Sequence, residues 1–255
     1  MSRPLAVIFV LIFALVAMGT AQSGNFTGFY VGVNLGGASG TSDAKTTTIF
    51  SPTGYFAMTS PGAIAIAGRQ QLTPTSFTGG GQAGFNFQIS HIVLGAEADF
   101  GHMQLSQSMQ KSGTYPCCAP TGFTVTQSVR TDWLFTARPR LGVAFGPVMF
   151  YGTGGLAVTD FNYKARFDDT FATATENGGV NENRTGWIAG GGAEFRITHR
   201  WSVKGEFLRA DFGGVRNTST NLMAFSPPIA YPTNVWTHRA NLTTNIGRVG
   251  INFHF

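Results

Sequence analysis

The sequence predicts an all-β protein, an eight-stranded antiparallel up-and-down transmembrane β-barrel with four long external loops. Three observations lead there. Eight segments alternate apolar and polar residues with period two, the repeat of strands whose faces meet different surroundings. The connections between them alternate long and short, as in a barrel with loops at one end and turns at the other. Charged residues lie opposite the bulky apolar face, the reverse of a soluble barrel that buries its apolar face inside.

The terminal stretch Leu242–Phe255 shows the repeat most cleanly. Val249, Ile251, Phe253 and Phe255 share one face, while Arg248, Gly250, Asn252 and His254 share the other. In order from the start, Gly28–Gly40 sets Phe29, Val31, Val33 and Leu35 against Tyr30, Gly32, Asn34 and Gly36. Phe77–Ile89 sets Ala83, Phe85 and Phe87 against Gln82, Gly84 and Asn86, and after Ser90-His91 the strand Ile92–Leu105 opposes Leu94, Ala96 and Ala98 to Glu97 and Asp99. Arg130–Phe145 puts Trp133, Phe135, Pro139, Leu141 and Val143 opposite Arg138 and Arg140, and Gly146-Pro147 turns the chain into Val148–Phe161. A sixth strand sets Trp187, Ala189, Ala193 and Phe195 against Ile188, Glu194 and Arg196. The seventh, Trp201–Phe212, sets Val203 and Phe207 against Ser202, Lys204 and Glu206. Pro139 cannot donate to a ladder, so a bulge or weakened pairing is expected there.

The long connections are Thr41–Ser76, Ser106–Val129, Asn162–Arg184 and Gly213–Arg239, rich in Thr, Ser, Asn, Gly and Pro and expected as loops. Apolar patches at Ile49–Phe50 and Ala63–Ala67 leave open an extra hairpin in the first. Cys117 and Cys118 sit in the second, where a vicinal disulfide, free thiols and a bridge to another chain all stay open.

Polarity decides the kind of barrel. Glu97, Asp99, Arg138, Arg140, Glu194, Arg196, Lys204, Glu206 and Arg248 all oppose the large apolar residues. Five are basic and four acidic, so they can neutralise one another in a lumen, whereas nine charges cannot face a dry core. The interior of an eight-stranded barrel is just wide enough for its own side chains. These residues are therefore expected to form a structural lumen charge network, with a narrow solute path lined by Arg138, Arg140 and Arg248 as the alternative.

Only 11% of the 255 residues are charged, with Lys+Arg 17 against Asp+Glu 12, and Gly (34) and Phe (23) are abundant. That composition disfavours a helical enzyme. Residues 1–21 read as a signal peptide, with Arg3 before an apolar run, Leu5–Met18, too short to span ~30 Å as a helix. Residues 22–255 are the expected barrel domain.

Asn25–Gly37 (NFTGFYVGVNLGG), Gly79–Phe100 (GGGQAGFNFQISHIVLGAEADF), Ala137–Ala157 (ARPRLGVAFGPVMFYGTGGLA), Gly186–Gly213 and Arg248–Phe255 together resemble the porin-family, outer-membrane immunogenic-protein barrels of alphaproteobacteria. That family has an OmpA-like eight-stranded barrel domain. The resemblance implies residence in the bacterial cell outer membrane and contact with lipopolysaccharide. It also implies recognition by the barrel assembly machinery, through an assembly signal of Val249, Ile251, Phe253 and Phe255. The expected role is structural and surface-interacting, with a small-solute diffusion channel as the alternative. An enzyme is not expected: His102 with Asp99 is the one candidate pair, and glycine runs such as Gly190-Gly191-Gly192 precede no helix and read as close strand approach. The five histidines have no metal-ligand spacing. No cofactor and no nucleic-acid partner are expected.

Overall fold

A strand needs partners for its backbone amides on both sides, and closing a sheet on itself leaves no edge. The computed structural model describes residues 25–255, so the expected signal peptide lies outside the described residues. Among the described residues there are thirteen strands and one helix. The long strands are β1 (Gly28–Thr48), β3 (Thr75–Ile89), β4 (Ile92–Met103), β7 (Trp133–Phe145), β8 (Val148–Asp169), β9 (Thr175–Arg196), β10 (Trp201–Ser219) and β13 (Trp236–His254). Their antiparallel pairings run β1–β3–β4–β7–β8–β9–β10–β13 and return from β13 to β1, where Leu35 faces Val249. The lower end of this ring is the end of short turns. Gly146 takes φ +59° in one of them, a value that suits glycine.

The remaining elements stand at the upper end. They are helix α1 (Ser60–Ala67), β2 (Arg69–Leu72) paired to β1, the hairpin β5 (Ser106–Thr114) and β6 (Gly122–Arg130), and the short pair β11 (Met223–Ala224) and β12 (Ile229–Ala230). Several expected loops are therefore sheet. Ser106–Val129 is largely the β5–β6 hairpin. Asn162–Arg184 is the tip of one long β8–β9 hairpin with only residues 170–174 outside strands. Thr41–Ser76 holds the end of β1, α1, β2 and the start of β3 rather than an extra hairpin alone.

The physical reason is a second alternation of opposite sense. Low on β13, Val249 and Ile251 face outward and Arg248 and Asn252 inward. Higher up, Arg239, Asn241 and Asn245 turn outward, while Ala240, Leu242 and Ile246 are buried. Strand β8 changes in the same way, from outward Phe150 and Leu156 to outward Lys164 and Arg166 over buried Phe161, Tyr163, Ala165 and Phe167. Polar composition hid these segments, but their period is still two.

Pro139 lies on the outer face of β7. The β7–β8 ladder pairs Ala137 with Leu156 and Arg140 with Thr153 and is interrupted between them. The register is unchanged across the gap, so pairing is weakened there without a bulge. The bulge in the wall is on β10, between Asp211 and Gly214, where Gly213 takes φ +68°.

Candidate functional site: a buried ion cluster

Inward positions of five ring strands bring most of the predicted charges together. Glu97 and Asp99 come from β4, Arg138 and Arg140 from β7, Glu194 from β9, Lys204 and Glu206 from β10, and Arg248 from β13. None of the eight is more than 6% exposed. Four cations meet four carboxylates, so the cluster is neutral. Burial of an unpaired charge is costly, and here every charge has an opposite partner, seven of the eight more than one.

Glu97 is the hub. Its Oε1 accepts from Arg138 Nη2 and Lys204 Nζ at 2.7 Å each, and its Oε2 accepts from the Tyr30 hydroxyl at 2.8 Å, Lys204 Nζ at 2.8 Å and Arg140 Nη1 at 3.3 Å. Asp99 takes both terminal nitrogens of Arg248 at 2.9 Å, a bidentate fork, together with Arg138 Nη2 at 2.9 Å and the Thr136 hydroxyl at 2.5 Å. Glu206 accepts from Arg248 Nε at 2.5 Å, the Tyr151 hydroxyl at 3.1 Å and Arg138 Nη1 at 3.4 Å. Glu194 holds Arg140 Nη2 at 2.8 Å and also accepts from Ser202 Oγ at 2.6 Å and Asn252 Nδ2 at 3.0 Å. The Arg140 guanidinium lies 3.9 Å from the centroid of the Tyr151 ring, within cation–π range.

Arg196 does not join. It stands at the lower end of β9, donates to the His199 carbonyl at 3.1 Å and lies 5.2 Å from the Phe26 ring centroid. Conversely, sequence reasoning missed the partners Tyr30, Thr136, Tyr151 and Ser202, and His254 beside Ser202. It also missed an amide chain in which Asn34 donates to Gln82 at 2.9 Å, Gln82 to Asn252 at 2.5 Å, and Asn252 to Glu194. The available signal was position: all lie on the same inward rows as the charges. Glycines beside them make room. A Cβ on Gly36 would sit 2.6 Å from Arg248 Cα, and one on Gly192 would sit 2.9 Å from Glu206 Cβ.

Apolar layers close the cluster from both sides. Below lie Phe26, Val93, Ala144, Met149 and the Tyr151 ring. Above lie Leu134, Ile188, Leu208, Ile246 and Phe161. Higher still, Phe56, Ile64, Phe123, Phe167 and Trp236 form an aromatic cap that gathers α1, β6, β8 and β13. Tyr55 and Tyr115 both donate to Asp169 Oδ2, at 2.5 and 2.9 Å. Burial, reinforced by that carboxylate, pushes both phenols well above their ordinary value. Cys117 and Cys118 are joined as a disulfide, and Cys118 packs against the cap.

Chemically this arrangement holds charge rather than offering it. Arg138, Arg140 and Arg248, the residues of the alternative solute path, spend their guanidinium groups on carboxylates. The candidate pair His102 and Asp99 does not form, because His102 is exposed on the outer face of β4 and Asp99 faces the interior. The outward row of β13, Val249, Ile251, Phe253 and Phe255, contributes nothing to the cluster and belongs to the apolar exterior.

Comparison with known proteins settles the family. The model of the outer membrane protein β-barrel domain matches residues 8–225. The chain belongs to that family. The 31 kDa outer-membrane immunogenic protein of Brucella melitensis is 33% identical over 194 residues, covering 74% of this chain and 72% of the relative. The 25 kDa outer-membrane immunogenic protein of the same organism is 26% identical over 94% of this chain and 82% of its own. Among solved structures, Ail of Yersinia pestis aligns over 90% of this chain and 99% of that chain, at 10% identity and a TM-score of 0.38. As a member of this family the chain is an all-β, antiparallel outer-membrane barrel protein of the Gram-negative envelope.

Proposed function

We propose that the eight ring strands form a transmembrane barrel whose lumen is filled by the ion cluster, and that the protein is a structural and surface-interaction element of the envelope. The observation that carries this reading is the neutral cluster itself, in which every charged group is bonded to an opposite charge and which is bounded by apolar layers. A lumen built in this way stiffens the wall and does not conduct. On this reading the lower part of the ring crosses the bilayer with Phe29, Val33, Leu35, Leu141 and Ile251 toward lipid, and the hairpins above it stand outside. Residues 1–21 direct export, and the assembly machinery inserts the barrel. Arg209, opposite Asn245 where the outward face of β13 turns polar, sits at the external interface and pairs with lipopolysaccharide phosphates.

The test is single-channel conductance of purified, refolded protein in planar bilayers. The reading predicts no stable open state. A steady wild-type channel of nanosiemens scale contradicts it and favours small-solute diffusion instead.

A further inference from the structure

One rung of the upper wall is built of like charges. Arg216 on β10 faces Arg239 on β13, Arg239 faces Lys45 on β1, and Lys45 faces Arg69 on β2. Directly opposed residues of antiparallel strands lie about 5 Å apart, so four cations span four neighbouring strands on one outward row. Lys111 of β5 extends the row, its Nζ donating to the Arg69 carbonyl at 2.7 Å. All five are exposed, and together they line a groove of about 840 Å³ in which Asp43 is the single carboxylate. Among the described residues none of the five makes an ion pair. Asp43 is engaged by Gln71 Nε2 at 3.1 Å.

Like charges placed opposite one another destabilise a sheet, and nothing in the fold offsets the cost here. The other arginines of the upper wall show the ordinary solution. Arg130 pairs with Asp132, Arg166 with Asp168 and Arg184 with Glu182, each two residues away along the chain. The rung Arg216–Arg239–Lys45–Arg69 has no such partner, and its charges point into a groove. Height narrows what fills it. Arg239 is six residues beyond Asn245, which at ~3.4 Å per residue and a strand tilt near 40° is about 15 Å above the interface. That is above lipid headgroups, among the sugars of the outer leaflet.

We propose that this rung binds a saccharide carrying several phosphate groups. Arg216, Arg239 and Arg69 supply planar forks for phosphate oxygens, and Lys45 and Lys111 supply point charges. The sugar runs across the strands along the groove. The inference rests on the proposed orientation, with the hairpins outside, but not on whether the lumen conducts.

The test uses the refolded full chain and deacylated, phosphorylated lipopolysaccharide oligosaccharide, titrated by calorimetry. Lys45→Gln/Arg216→Gln/Arg239→Gln should weaken binding by at least about tenfold. Arg130→Gln/Arg166→Gln/Arg184→Gln, which removes the same charge from paired positions, should change it less than about twofold. Heat-modifiable gel migration checks that both variants fold. Oligosaccharide stripped of phosphate with hydrofluoric acid should not bind. Equal loss in both triple variants, or equal binding of the dephosphorylated sugar, overturns the proposal. The source of the sugar is read in nanodiscs: if neighbouring lipopolysaccharide fills the rung, added oligosaccharide binds more weakly there than in phospholipid discs, and if a free saccharide is the ligand the two agree. A conducting wild type with the rung still binding would overturn the structural reading of the lumen and leave this inference standing.

Discussion

The lower and upper halves of the wall use the same strands and opposite chemistry. Low on β1, the outward row is Phe29, Val31, Val33 and Leu35; high on the same row it is Thr41, Asp43, Lys45 and Thr47. Behind the first row lies a neutral ion cluster, and behind the second lie Ala38, Ala44, Leu72 and an aromatic cap. On the proposed reading the lower half is organised for a lipid exterior, where the wall supplies the apolar surface and the interior hides the charge. The upper half is an ordinary soluble core wrapped in the continuation of the same sheet. The stability of each half therefore rests on a different interaction, and the two can be disturbed separately.

Loss of the hub carboxylate should have the largest effect. Glu97→Ala removes a shared partner of Arg138, Arg140 and Lys204 and leaves the buried cluster one positive charge in excess, and an uncompensated buried charge of this kind costs about 3–5 kcal/mol. Urea unfolding in micelles should shift accordingly and the aromatic cap should be lost with the barrel. Phe167→Ala acts on the other half. It removes a ring that packs on Phe56, Phe123 and Trp236, at about 3 kcal/mol. Limited proteolysis should then cut between residues 106 and 130 while the heat-modifiable barrel survives. If Phe167→Ala unfolds the barrel as readily as Glu97→Ala, the two halves are one cooperative unit.

Outward substitutions sharpen the boundary. Val33→Arg places a charge toward lipid near mid-depth and should cost about 2–4 kcal/mol. Thr41→Arg, four positions higher on the same row, should cost less than about 0.5 kcal/mol. Equal costs would erase the boundary between them. Alkaline pH should give the smallest effect. Tyr55 and Tyr115 have raised phenol values when folded, so the stability they add is full below the unfolded value near pH 10 and declines as pH rises above it. Protease sensitivity of the cap should therefore increase above about pH 10 before barrel migration changes. Tyrosine absorbance at 295 nm should show two phenols ionising only as the cap opens.

The lower half was legible in the sequence because its alternation is strong and its charges are few. Eight of nine predicted charges meet in one cluster, since inward rows on adjacent strands leave them nowhere else to go. Arg196 differs because it lies at the last residue of β9, where the wall ends and a turn carbonyl is nearer than any carboxylate. The upper half reads as loop because Thr, Asn and Gly dominate it. Its strands show in Phe123, Val125 and Val129 of β6 and in Phe161, Tyr163 and Phe167 of β8, which keep period two among polar neighbours. The buried pair His238 and Glu176, 3.1 Å apart, had no such signal, because its partners lie far apart in the chain, on the two strands that flank β10, where Ser219 contacts both.

The reversal of polarity along a single row is most directly tested by spin-label accessibility on β1. Single cysteines at positions 29, 33, 35, 37, 39, 41 and 45, in a chain with Cys117 and Cys118 replaced by serine, are labelled in lipid bilayers. Collisions with oxygen and with a water-soluble nickel chelate are then compared. The account predicts oxygen-dominated positions up to 37 and nickel-dominated positions from 39 onward, with the change inside one turn of the side-chain repeat. Lipid-like accessibility reaching 45, or aqueous accessibility at 33 and 35, would contradict it.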